Sequence, residues 1–298
     1  MSRIVTNMLL TAGHEIVVES HGFPPEFETS KFSTIDRNPK RWKISERGEL
    51  FEKFDGIVNL PGGGLQSRDF RMECIDRDIR IASKLGIPYA LSSHSICPLV
   101  NKSTICKVSL IIARENVTAN FLEKLHLPYV ASADYAWLTV MPKKETEYKT
   151  VLMLRWDGKF SLDRIYWDGR CLRIMNRAIP ILGQLIVSTS DPLKDRTMGL
   201  ALSHKLGVEW KPCRTEVELI DVISSASQII TDRYHPAILA TLAGVECHFV
   251  GGVGVRNDGL RTFLTIEPEY LRTKAKIGLE KLKDWCENLK RLEGISLD

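Results

Sequence analysis

Apolar positions along this 298-residue chain follow two alternating patterns, a short continuous run and then a longer stretch at helical spacing. The run 56–60, Gly-Ile-Val-Asn-Leu, reads as a buried strand and ends in Pro-Gly-Gly-Gly at 61–64. Met72, Ile75, Ile79, Ala82 and Leu85 then mark one face of a helix over 70–85, with Gly86 as its C-cap. Further strands are predicted at 87–93, 109–114 and 129–131, with a helix at 117–125. The second half resumes with strands at 150–154, 184–188, 228–231 and 247–250. Helices are predicted near 194–206, 216–226 and 236–243, and an amphipathic helix over 267–292 ends the pattern.

Strands that alternate with helices imply parallel βαβ units. The Lys/Glu-rich stretch 143–149 separates two such halves and is the best linker in the chain. The expected fold class is therefore α/β, with two Rossmann-like, doubly wound parallel-sheet domains facing across a cleft. Their bounds are 1–143 and 150–266, followed by a C-terminal helix over 267–298. The first domain opens on a helix, with Ile4, Leu9 and Leu10 apolar and Gly13 as a cap, and so lacks an N-terminal strand. No period of 20–50 residues appears, which excludes a solenoid.

Open parallel sheets bind ligands beyond the carboxyl ends of their strands, so candidate chemistry belongs in those loops. The segment 228–240 is the most informative. Its apolar strand ends at Thr231, and Pro236 suits the first turn of the next helix, where a missing N–H does no harm. Asp232, Arg233, Tyr234 and His235 are thus confined to a strand-to-helix junction. A helix N-terminus attracts anions, Arg233 adds a bidentate fork, and His235 can move a proton at physiological pH. A histidine capping its own helix, with Arg233 in a surface salt bridge, explains the spacing equally well.

Gly62, Gly63 and Gly64 would let backbone approach a ligand, or form a tight turn. They match neither GxGxxG nor a Walker loop. His94 lies in a Ser-rich loop after a strand, as a ligand-lining or a structural residue. Arg155 follows the first strand of the second half, either as a second anion-binding cation or paired with Asp157. Asp134 ends a strand-like segment, where it accepts from a sugar hydroxyl or caps a turn. Arg114 and Glu115 read as a strand end and helix start, with Glu115 or Asn116 as the cap.

Charge and cysteines narrow the setting. A net charge of +4, with basic residues spread among acids, does not describe a nucleic-acid binder. Seven scattered cysteines with no CxxC pair argue against a disulfide framework and a structural zinc site, and point to a reducing, cytoplasmic compartment. No apolar run reaches the roughly 18–20 residues of a membrane span, and no signal-peptide pattern opens the chain. No metal-ligand cluster and no cofactor motif is evident, and oligomeric state is open.

Taken in order, the Pro-Gly-Gly-Gly loop, the Ser-rich loop at 92–98, Arg114-Glu115, the Asp134 turn, Leu-Arg-Trp-Asp at 154–157 and Asp-Arg-Tyr-His-Pro at 232–236 resemble the polysaccharide pyruvyltransferase family. The resemblance spans roughly residues 56–255, and the Arg-x-His of 233–235 is its most specific mark. It implies a GT-B-like fold and transfer of the enolpyruvyl group of phosphoenolpyruvate onto two hydroxyls of a saccharide, forming a pyruvate ketal. By position it makes Arg155 and Arg233 donor clamps and His235 a general acid/base, with His94 a second candidate. No metal or cofactor is required by that scheme. The first domain would take the acceptor and the second the donor. Two segments depart from the family pattern: the missing first strand, and the stretch 252–259, where Arg256 replaces the usual lysine-containing loop. A nucleotide-sugar glycosyltransferase of the same architecture and a non-catalytic saccharide-binding member remain as alternatives.

Overall fold

The computed structural model describes residues 2–14, 16–20, 32–36, 44–60, 65, 70–147, 149–155, 162–174, 176–190, 195–252 and 255–293. The chain divides into two compact units. One is Met1–Tyr135 with Glu269–Asp298, and the other is Ala136–Pro268.

The first unit opens on α1 (Ser2–Thr11) and a parallel pair, β1 (Ile16–Ser20) with β2 (Phe32–Asp36), followed by α2 (Ile44–Phe51). Gly13 has φ +82°, the left-handed conformation that closes α1. Among the described residues, the main sheet of this unit runs β3 (Ile57–Asn59), β4 (Tyr89–His94), β5 (Leu110–Ala113), β6 (Val130–Ala131), all parallel. Between the strands lie α3 (Phe70–Leu85), α4 (Lys102–Ile105) and α5 (Asn116–Lys124). Every residue of β4 is buried, as expected for a central parallel strand covered on both faces. Helices α2 and α3 are joined by a buried ion pair, Arg47 Nη2 to Asp78 Oδ2 at 2.7 Å.

The second unit carries a five-stranded parallel sheet in the order β12 (Glu209–Pro212), β11 (Gln184–Thr189), β7 (Lys149–Met153), β13 (Gln228–Thr231), β14 (Glu246–Phe249). Counting only its own strands, that order is third, second, first, fourth, fifth, which is the doubly wound pattern. Alternate residues of each strand face opposite cores. Leu152, Val187 and Ile230 point one way, against Met198 and Leu202 of α6 (Arg196–Leu206). Val151, Ile186 and Ile229 point the other way, against Val222 and Ile223 of α7 (Glu216–Ser224) and Leu239 and Ala240 of α8 (Tyr234–Ala243). Gly244, at φ +71°, ends α8 in the left-handed conformation.

Several elements were not anticipated from the sequence, among them α2, β12, and the β1–β2 pair that follows α1 in a domain expected to lack its first strand. Between β7 and β11, strands β8 (Ile165–Trp167), β9 (Cys171–Ile174) and β10 (Arg177–Pro180) form an antiparallel meander. Its inward residues Ile165, Leu172, Ile174 and Ile179 join the α6 side of the core. The stretch 252–259, read from sequence as a loop, is also different: α9 (Val255–Phe263) begins inside it.

The last helix, α10 (Pro268–Glu293), belongs to the first unit, not to the second that precedes it. Trp285 Nε1 donates to Ser109 Oγ at 3.2 Å, and Ser132 Oγ donates to the Lys274 carbonyl at 3.1 Å. A Cβ on Gly278 would lie 2.2 Å from Ser132 Oγ, so only glycine permits this helix to lie so close to the sheet. No helix among the described residues is long and apolar enough to cross a membrane.

Candidate functional site

In the second unit the strand order reverses between β7 and β13, and the residues that follow these strands are Leu154, Arg155 and Asp232, Arg233. Met153 pairs with Thr231 across the two strands, so Arg155 and Arg233 each emerge two residues beyond the last rung. A topological switch point is where an open parallel sheet leaves a crevice at its carboxyl edge, because the flanking crossovers turn away from each other.

Side chains stitch the two strand ends together. Asp232 Oδ1 accepts from the Arg155 backbone N–H at 2.9 Å. Thr231 Oγ1 accepts from the Arg233 N–H at 2.9 Å and donates to the Met153 carbonyl at 2.8 Å. Arg233 occupies the N-cap position of α8 without capping it. Its guanidinium instead pairs through Nη2 with Asp195 Oδ2, a carboxylate whose side chain is 1% exposed. That bond engages one of the five N–H donors of the fork. Arg233 Nε is buried and makes no hydrogen bond among the described residues. His235 lies one residue into α8, and its ring meets that of Tyr234 edge-on, centroids 5.6 Å apart.

His235 is the second residue of α8, two positions after Arg233, on the helix that follows the switch-point strand β13. Histidine is not the N-cap, and Arg233 is held by a buried acid, not by a surface one. Arg155 is half-buried, and no ion pair engages its guanidinium among the described residues. Asp157 lies outside the described residues, as do Gly62, Gly63 and Gly64. Near the end of β14, Arg261 of α9 donates through Nη2 to the Gly251 and Gly252 carbonyls, a second cation near the 252–259 segment besides Arg256.

His94 and Asp134 lie in the first unit, within a buried polar network at the ends of β4, β5 and β6. Arg114, 2% exposed, donates from Nε to Ser95 Oγ at 2.6 Å and from Nη1 to Asp134 Oδ2 at 3.0 Å. Ser95 Oγ donates to Glu115 Oε2 at 3.0 Å, and Thr118 Oγ1 donates to Glu115 Oε1. Thr118 Oγ1 also accepts from the Ile96 N–H at 2.9 Å. Glu115 is thus the N-cap residue of α5 by position, while its carboxylate serves the neighbouring hydroxyls and not the helix backbone. Burial lifts the Glu115 carboxyl above its ordinary range, against the pull of Arg114, Thr118 and Ser95.

The network holds a strained turn. Ser93 has φ +55°, a left-handed conformation costing a β-carbon-bearing residue about 1–3 kcal/mol unless its surroundings enforce it. His94 is 1% exposed, and Nδ1 lies 3.1 Å from the Ser92 carbonyl. A carbonyl can only accept, so Nδ1 carries the proton and Nε2 the lone pair. Burial first, and then the Arg114 guanidinium, hold the imidazole down at about 3, opposed by the Ser92 bond and the Asp134 carboxylate. The folded state therefore keeps His94 neutral. The stability it contributes is complete above 6.5 and is lost as pH falls from there toward about 3. Thermal and urea unfolding between neutral and mildly acid pH will show this. The His94→Gln variant loses less stability on acidification than the wild type, by up to about 1.4 kcal/mol per pH unit.

Sequence reading overlooked Asp195 and the roles of Thr231, Arg114 and Thr118. Only Asp195 carried a usable signal: an acid directly before a helical pattern is an N-cap candidate. That it reaches across to Arg233 instead is a tertiary fact.

The polysaccharide pyruvyl transferase family model matches residues 7–252. The chain belongs to this family. A search of curated proteins found no match. Among solved structures, the UDP-GlcNAc 2-epimerase of Methanocaldococcus jannaschii, in complex with UDP-GlcNAc and UDP, is 13% identical with a TM-score of 0.52. The alignment covers 82% of this chain and 79% of that one. MnaA of S. aureus, in a co-structure with UDP, is 12% identical with a TM-score of 0.52, over 96% of this chain and 79% of that one. At such identities the likeness concerns the fold alone, which is GT-B-like with parallel α/β sheets. Family membership makes this chain a transferase of the polysaccharide-pyruvylating kind.

Proposed function

We propose that the protein transfers the enolpyruvyl group of phosphoenolpyruvate to two hydroxyls of one saccharide, releasing inorganic phosphate and forming a pyruvate ketal. The observation that carries this reading is the placement of Arg155, Arg233 and His235 at the switch point of the second unit. Phosphoenolpyruvate carries a phosphate and a carboxylate, and two arginines beside a helix N-terminus suit both. His235 protonates the methylene carbon, and a saccharide hydroxyl attacks the adjacent carbon. Phosphate leaves as its charge is held by the arginines, and the second hydroxyl then closes the ketal. The methylene gains one proton, the two hydroxyls lose two, and the phosphate carries the other away.

His94 and Asp134 belong to the acceptor side in this reading. Both are buried, so they act at one remove, by fixing the strand ends against which a saccharide packs. The scattered cysteines favour a cytoplasmic site of action.

The test is a thermal-shift comparison of phosphoenolpyruvate with UDP-GlcNAc, followed by mass spectrometry of saccharides incubated with the full chain and phosphoenolpyruvate. Stabilisation by phosphoenolpyruvate and the mass gain of one pyruvate ketal are expected. Stabilisation by UDP-GlcNAc alone would replace this reading with a nucleotide-sugar glycosyltransferase. Saccharide binding without any mass gain would indicate a non-catalytic member.

A further inference from the structure

Asp195 stands at the N-cap position of α6, where an aspartate ordinarily accepts a hydrogen bond from the helix's own first turn, worth about 1 kcal/mol. Here its side chain makes no such bond. The carboxylate, 1% exposed, instead takes Nη2 of Arg233, whose side chain is 16% exposed. Asp195 precedes α6, which follows β11, while Arg233 follows β13, and β7 lies between those strands in the sheet. The ion pair therefore ties the residue at the N-cap position of α8, after β13, to the start of the helix that follows β11, two strands away in the sheet. The second strut is Thr231, which fixes the Arg233 backbone.

Resting on the reading that the second unit holds the phosphoenolpyruvate donor, we propose that Asp195 is a positioning residue for that site. It gives up the capping of its own helix to fix the direction of the Arg233 guanidinium, leaving the remaining donors of the fork for the substrate anion. Two consequences separate this from a merely structural pair. Orientation acts on the rate of the chemical step, where misplacing a charged group by about 1 Å costs on the order of 100-fold. Charge acts on binding in the opposite sense. Asp195 partly neutralises Arg233, so removing the carboxylate leaves a less compensated cation that holds a polyanion at least as tightly.

The experiment is steady-state kinetics of the full chain across phosphoenolpyruvate concentration, for wild type, Asp195→Ala and Asp195→Asn, with thermal unfolding of each. Asp195→Ala is expected to lower kcat by about 10- to 100-fold while KM for phosphoenolpyruvate stays level or falls. The Asn variant keeps an oxygen that accepts from Nη2 and recovers most of kcat. A lowered melting temperature with unchanged kcat overturns the proposal, as does a raised KM with unchanged kcat. If the wild type makes no ketal, the functional reading fails and this inference is read separately, by calorimetric titration with inorganic phosphate. Asp195→Ala should then bind phosphate more tightly than the wild type, and Arg233→Gln added to it should abolish that gain. Equal affinity in Asp195→Ala and wild type overturns it.

Discussion

Replacing Arg233 with alanine is expected, on the proposed function, to lower phosphoenolpyruvate-dependent ketal formation by at least about 100-fold, the scale of removing one preorganised donor to a developing negative charge. Arg233→Lys keeps the charge but not the planar fork, and recovers only part of that loss. Arg233→Ala also removes the cation facing the buried Asp195 carboxylate, so it is expected to melt at a lower temperature than the wild type. The double variant Arg233→Gln/Asp195→Asn removes both charges together and separates the two effects. It should regain stability while remaining inactive. Activity that returns with stability would mean that Arg233 serves the fold and not the substrate. Ketal assays paired with thermal unfolding of the same preparations make the distinction.

The second large effect is on stability. Arg114→Ala leaves Asp134 and Glu115 buried without their shared cation, and is expected to destabilise the first unit by about 3–5 kcal/mol. Asp134 is the principal partner, at 3.0 Å against 3.4 Å for Glu115. Arg114→Met combined with Asp134→Leu removes the pair as a unit and should cost clearly less than Arg114→Ala alone. Urea unfolding of the wild type, both single variants and the double variant closes the cycle. A cost below about 1 kcal/mol for Arg114→Ala would place this network with ordinary surface pairs, whose contribution is of that order.

The two effects fall on opposite ends of what could be read in advance. The strand-to-helix junction at 231–236 was legible because its signals are contiguous, an apolar strand end and a proline suited to a helix's first turn, although α8 begins at Tyr234 and so already includes His235. The Arg114 network was not legible in the same way. Arg114 and Glu115 looked like a strand end and a helix cap, and only the placement of Ser95, Thr118 and Asp134 around them makes a buried charge cluster. Burial of His94 follows from the same placement, since a Ser-rich loop on paper suggests exposure.

Sequence by itself determined the α/β class, the helix over 70–85, the strand over 228–231 and the strand-to-helix junction that carries Arg233 and His235. These depend on hydrophobic period, turn chemistry and contiguous residues, all local in the chain. Tertiary structure alone decided four things. The β8–β10 meander packs on the α6 side of the second sheet's core; its strands are only three or four residues long, too short to display a period. Helix α10 returns to the first unit, a matter of packing at Gly278 and Trp285 that no period records. The sheet order puts β7 beside β13, and so brings Arg155 near Arg233 across 77 residues of chain, counted by the Arg155–Asp232 bond. Asp195 turns from its own helix to Arg233. Each of these joins residues distant in sequence, and such pairings are set by the free energy of the assembled core and its buried charges, not by any neighbour along the chain.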